Sequence, residues 1–275
     1  MNLPYPKFKI VNGRIHATFE IWGTIIYFDC AGDFIGRSFN QRQNKKIKEG
    51  IRKVCDFFSL VDDIFSTYKN DSEVSRLRRG EILSSDTSDL FQEVWHLSLI
   101  WKDITEGAFD PWSVRDGYDP SGLVKGWAAD KGVKILKDFG AKSIQINAAG
   151  DLSLAGGFPS PDDPNAPWKI GIRDPENPLK ILKVFSIKEG AIATSGTYER
   201  GSHIIDPFTN LIAIGALSAT VYGPSGTGCD VLATALIVSG KDGVRWFQRK
   251  ELSDFGCWVI ERNERASWSY NHQLT

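Results

Sequence analysis

The chain has 275 residues, 41% hydrophobic and 24% charged, a balance that suits a globular protein and excludes a disordered or collagen-like one. With 33 basic and 34 acidic residues the formal charge is −1, so nothing in the charge balance favours a nucleic-acid or anionic-membrane partner. No stretch approaches the roughly 18 apolar residues of a membrane span, and the four cysteines are too scattered for a zinc site or a disulfide framework.

Residues 8–29 alternate polar and apolar around Gly13 and predict a hairpin, with Ile25–Asp29 as a further strand after Gly23-Thr24. From Asn40 to about Ser66, Ile47, Ile51, Val54, Phe58, Val61, Ile64 and Phe65 share one helical face. Lys69 to Ser72 reads as a turn ending in a helix cap. A second helix is expected from about Thr87 to Thr105, striped by Leu90, Val94, Leu97 and Trp101, and stopped by the run Gly107 to Pro111. A third is expected from about Gly122 to Phe139, burying Val124, Ala128, Ile135 and Phe139, with Gly140 as its stop.

Ile144–Asn147 predicts a strand, 158–167 an exposed loop, and Trp168–Arg173 and Leu182–Ile187 further strands. Residues 190–210 predict strand, hydroxyl-rich loop and returning strand: Ala191–Thr194, then Thr194-Ser195-Gly196-Thr197, then Ser202 to Ile205 before an Asp206-Pro207 stop. Ile214–Tyr222 should be a strand, Gly223–Gly228 a glycine-rich link and Cys229–Ser239 a fourth helix, followed by a short helix near 242–249 and two last strands near 256–262 and 266–270. Without regular βαβ alternation, an α+β fold is expected, in one domain over 1–275. The mixed N-terminal stretch lacks the apolar run of a signal peptide, so a cytoplasmic setting is expected.

Several groups could carry chemistry. Asp230 and Thr234 lie one helical turn apart, and their oxygens suit Mg²⁺ or Ca²⁺; the same stretch also reads as a capping box in which Asp230 caps the first turn. Asp119 precedes a helix start whose first turn carries Lys125, a place for phosphate, or equally a plain N-cap beside a solvated lysine. Trp22, Tyr68 and Phe109 could stack on a flat ring or belong to the core. His203 is the candidate general base, or else the half-buried histidine of an ordinary hairpin, whereas Ser195 lacks the Gly-x-Ser-x-Gly frame of a hydrolase nucleophile. The glycines up to Cys229 match neither a P-loop nor GxGxxG.

Seven stretches stand together in one order: FSTYKNDSEVSRL, TEGAFDPW, DPSGLVKGWAADK, NAAGDLSLAGG, WKIGIRDP, AIATSGTYERGSHIIDPFTN and CDVLATALIVSG. In this the chain resembles the ApbE family of flavin transferases, the FAD:protein FMN transferases. The resemblance implies a T-fold-like α+β core that binds FAD and Mg²⁺, joins the FMN half to a Thr or Ser hydroxyl of a target protein and releases AMP. It further implies flavin contacts from Trp22 and Tyr68, and contacts to the adenine or ribose side from Ala108, Phe109 and Asp110. Asp119, Lys125 and Ser195 would touch FAD, His203 would lie by the diphosphate, and Asp230, Thr234 and the Gly122 carbonyl would hold the metal. Two departures stand out: Trp22-Gly23-Thr24 replaces Met-Gly-Thr, and Ala149-Gly150-Asp151 replaces Gly-Gly-Asp. The same site with water as nucleophile would be an FAD pyrophosphatase, and without turnover a flavin-binding protein.

Overall fold

The computed structural model describes residues 5–32, 41–115, 117–160, 162–196, 204–262 and 266–271. Eleven strands are formed by these residues: β1 (Lys7–Val11), β2 (Arg14–Ile21), β3 (Thr24–Ala31), β4 (Ser143–Ala148), β5 (Asp151–Ala155), β6 (Trp168–Arg173), β7 (Ile181–Ile187), β8 (Gly190–Gly196), β9 (Ser218–Gly223), β10 (Gly256–Ile260) and β11 (Ser267–Tyr270). Five α-helices accompany them: α1 (Gln41–Phe65), α2 (Glu73–Arg78), α3 (Asp89–Ile104), α4 (Ser121–Asp138) and α5 (Gly226–Ser239). Nine strands make one antiparallel sheet in the order β1-β2-β3-β4-β5-β8-β9-β10-β11, and β6-β7 pair separately. The expected α+β class holds.

The two-residue pleat of the strands sorts the side chains between two cores. Ala155, Ala191, Ala193, Ala219, Val221, Cys257 and Val259 face α1, α4 and α5. Their alternates Leu152, Leu154, Ile192, Tyr222, Trp258 and Ile260 face the other way, into a smaller cluster with Trp168, Ile172, Phe185 and Ile187 of β6 and β7. The central strands are therefore covered on both faces, and β5, which was not among the expected strands, is buried at every position.

Tight turns fix the registers near the site. Asn12-Gly13, Trp22-Gly23 and Ala149-Gly150 each have positive φ at both residues and join antiparallel neighbours, the geometry of two-residue hairpins. Gly is at ease there. Trp22 (φ 56°) and Ala149 (φ 62°), the two residues that depart from the family pattern, are not. Trp22 offsets some of that cost by packing on Phe58, ring centroids 4.9 Å apart.

Four expectations are corrected. Helix α5 begins at Gly226, not Cys229, because the first glycines are needed for close packing rather than for a link: a Cβ on Gly228 would stand 2.6 Å from Phe255 and 2.8 Å from Trp101. Helix α4 buries Leu123, Trp127, Gly132 and Leu136 and leaves Ile135 and Phe139 half-exposed, since it lies between α1, α5 and the sheet. Ile214 is exposed and outside β9. Residues 240–252 form 3₁₀ segments instead of an α-helix. Beyond β8, the return from Ser202 to His203 lies outside the described residues, and Ile205 makes only an isolated bridge to Ile212. Among the described residues, no helix is long and apolar enough to cross a membrane.

Candidate active site

Helices α4 and α5 pack against each other at their N-terminal ends. A Cβ on Gly126 would overlap the Gly226 carbonyl, and one on Gly226 would stand 2.9 Å from the Gly126 carbonyl oxygen, so only glycine at both positions permits the approach. The crossing brings α4's first turn beside the middle of α5. A Cβ on Gly122 would meet Thr234 Oγ1 at 3.4 Å and Phe109 Cε2 at 3.3 Å, and Gly122 itself departs from helical dihedrals (φ −81°, ψ 16°). From β8, Ser195 Oγ lies 3.3 Å from Thr234 Oγ1. Gly122, Phe109, Ser195 and Thr234 thus converge from four segments distant in sequence.

Asp230, 3% exposed, precedes Thr234 by one turn on α5. It does not cap the helix. The N-cap is Ser225, whose hydroxyl accepts from Gly228 N–H at 3.2 Å, and the two preceding N–H groups, of Gly226 and Thr227, donate to Asp130 at 2.8 and 3.0 Å. The capping alternative for Asp230 is therefore overturned, and a buried carboxylate is left at a position where the helix has no need of one.

At the start of α4, Asp119 Oδ1 accepts from Ser121 N–H at 3.0 Å and from its hydroxyl at 2.5 Å, while Oδ2 lies 3.3 Å from Arg78. Leu123 and Val124 N–H both bond to the Pro120 carbonyl. The N–H groups of Ser121, Leu123 and Val124 are thus bonded within the turn itself. Lys125 adds a positive charge at this end of α4, held 3.0 Å from Asp151 of β5.

The other expected residues are more dispersed. Ala108 and Phe109 are buried, and the Phe109 N–H donates to Thr105 Oγ1. Asp110 pairs with Lys102 at 2.7 Å and accepts from Trp112 N–H. Tyr68 is 97% exposed in the loop between α1 and α2, and Trp22 is half-buried against Phe58. His203 lies outside the described residues.

Two carboxylates were missed as site candidates, Asp130 and Asp151. Both lie near Cys229, whose thiol is pushed well up by burial and then by Asp130, Asp151 and Asp230. The missed signal was an acidic residue directly after Trp127-Ala128-Ala129 in an apolar stretch, since a charge on a buried face demands partners. Among the described residues no cluster of three His, Cys, Asp or Glu could hold a metal. One carboxylate, one hydroxyl and a carbonyl make a hard all-oxygen set, too sparse for a protein cage. Such a set suits a cation that retains water or borrows phosphate oxygens.

Comparison with known proteins adds to this geometry. The chain is 34% identical over 133 residues to the FAD:protein FMN transferase of Rhodobacter capsulatus, covering 45% of this chain and 24% of that protein. It is 32% identical over 136 residues to that of Treponema pallidum (44% and 38%) and 28% identical over 166 to that of Escherichia coli K12 (57% and 44%). The chain thus matches under half the length of these curated relatives. Its fold is that of the flavin transferase ApbE from Vibrio cholerae, with a TM-score of 0.75 at 21% identity, covering 96% of this chain and 97% of that one. The Pseudomonas stutzeri flavinyl transferase ApbE, apo form, gives 0.74 at 20% identity, with 99% and 97% covered. The ApbE family model matches residues 117–257, just over half of the chain and nearly all of the α4–α5 site, and the chain belongs to the ApbE family.

Proposed function

We propose that this chain transfers the FMN half of FAD to a Thr or Ser hydroxyl of an acceptor protein and releases AMP, with Mg²⁺ required. The observation that carries the reading is the convergence of Gly122, Thr234 and Ser195 beside the buried carboxylate of Asp230, with Lys125 on the same turn of α4 as Gly122. The names of the curated relatives point to the same activity.

In this reading Asp230, Thr234 and the Gly122 carbonyl hold the cation. When bound, Mg²⁺ neutralises diphosphate charge and stabilises charge developing on the transferred phosphorus. Ser195 orients the Thr234 hydroxyl, and Asp151 keeps the Lys125 ammonium at the start of α4 to receive the diphosphate. Phe109, Ala108 and Asp110 border the nucleotide side, Asp119 braces the turn before α4, and Tyr68 and Trp22 line the isoalloxazine. The acceptor oxygen forms a bond to the FMN phosphorus, the anhydride bond breaks, and AMP departs with the bridging oxygen. The hydroxyl proton passes to His203 or to an aspartate. Positioning and electrostatics supply the acceleration. A cytoplasmic setting, with four reduced, buried thiols, belongs to the same reading.

The test is mass spectrometry of candidate acceptor proteins after incubation with the chain, FAD and Mg²⁺, with AMP measured in parallel. AMP release matched by a covalent FMN increment is expected. AMP without the increment would make the chain a pyrophosphatase, and neither product would leave a flavin-binding protein.

A further inference from the structure

The two halves of the proposed site are carried by different helices, so their spacing must be fixed by something at the crossing. Gly126 and Gly226 permit close approach but do not bind the helices together. Asp130, one turn beyond Gly126 on α4, does. Its Oδ1 accepts from Gly226 N–H at 2.8 Å and from the Ser153 hydroxyl at 2.9 Å, and its Oδ2 accepts from the N–H and the hydroxyl of Thr227, each at 3.0 Å. One carboxylate thus joins α4, the first turn of α5 and strand β5. It occupies the electropositive end of α5, the place an external anion would otherwise take. Asp151 and Ser153 alternate on β5 and point to the same side, so the strand that holds Lys125 also holds Asp130.

We infer that Asp130 is a positioning residue, setting the distance between the Gly122–Lys125 turn and the Asp230–Thr234 face, and so the cation affinity of the site. The inference rests on the function proposed above. Neutralising Asp130 leaves its shape but turns one acceptor into a donor that faces N–H or O–H donors. Loosening this end should release the first turn of α5 before any other part of the core.

The test is Asp130→Asn in the full chain, read by hydrogen exchange and by Mn²⁺ binding as a Mg²⁺ probe, without turnover. Amides of Gly226 to Cys229 should exchange at least about 10-fold faster, with β9 unchanged. Mn²⁺ affinity should fall about 10-fold, while metal-free FAD affinity stays within about threefold, as expected for loss of charge-assisted bonds acting at a distance. Should that variant not fold, Thr227→Val removes only the hydroxyl contact and should weaken Mn²⁺ about threefold. Unchanged exchange at Gly226 to Cys229, or faster exchange with unchanged Mn²⁺ affinity, would overturn the inference. A wild-type chain that takes up no Mn²⁺ overturns the proposed function and the metal half of this inference, and exchange then decides the clamp alone.

Discussion

Two parts of the candidate site differ in how they are built. Around the α4–α5 crossing the side chains interlock: Asp230 is buried, Thr234 meets Ser195, Lys125 meets Asp151, and glycines at 126 and 226 occupy space that no Cβ could share. At the other end, Tyr68 stands almost fully in solvent and Trp22 covers Phe58 from a hairpin turn. The difference matches what each part would have to do. Charges transferring at a phosphorus need donors fixed in advance, whereas a flat ring can be met by an aromatic side chain that closes on arrival.

Breaking the interlocked part should have the larger consequence. Asp230→Ala should lower Mg²⁺-dependent turnover by about 10²- to 10³-fold, the scale of losing a transition-state electrostatic group, with far-UV circular dichroism unchanged. Full activity in this variant would remove Asp230 from the site. Gly126→Ala should cost about 1–3 kcal/mol of stability by forcing α4 and α5 apart, seen as a lower denaturant midpoint at constant slope. An unaltered midpoint would mean that the crossing yields more readily than its geometry implies.

The open part should respond more mildly. Tyr68→Ala should leave the melting temperature alone, because the side chain is exposed, yet weaken FAD binding about 3- to 10-fold through loss of a stacking contact. Equal FAD affinity in the two proteins would place the ring elsewhere. Smallest of all, and opposite in sign, Ala149→Gly should stabilise the fold by about 1 kcal/mol by relieving a left-handed alanine in the β4–β5 turn. Unchanged or lower stability on urea titration would contradict that account of the turn.

Elements with a single exposed face were legible in the sequence, and so were the enclosed strands β9 and β10 and the body of α5. Helix α1 could be read from its apolar stripe and β2 from its alternation, because each has one side in solvent. Strand β5 and the first turn of α5 were missed because each begins on residues that read as turn formers, Gly150-Asp151 and Gly226-Thr227-Gly228. Gly226 and Gly228 looked like a flexible link because a glycine demanded by close packing is indistinguishable, by sequence, from one that supplies freedom. Asp230 and Thr234 were identifiable as a pair by helical spacing. Asp130 was not, since its partners, Ser153, Gly226 and Thr227, lie on two other stretches of chain. The competing role of Asp230 as a cap was settled only by seeing Ser225 and Asp130 already engaged there.

The most direct test of the central claim is anomalous diffraction from crystals grown with Mn²⁺ and FAD. The account predicts one strong peak within coordination distance of the Asp230 carboxylate, the Thr234 hydroxyl and the Gly122 carbonyl, touching the FAD diphosphate. A peak elsewhere, or a diphosphate bound away from the α4–α5 crossing with no ion beside it, would contradict it.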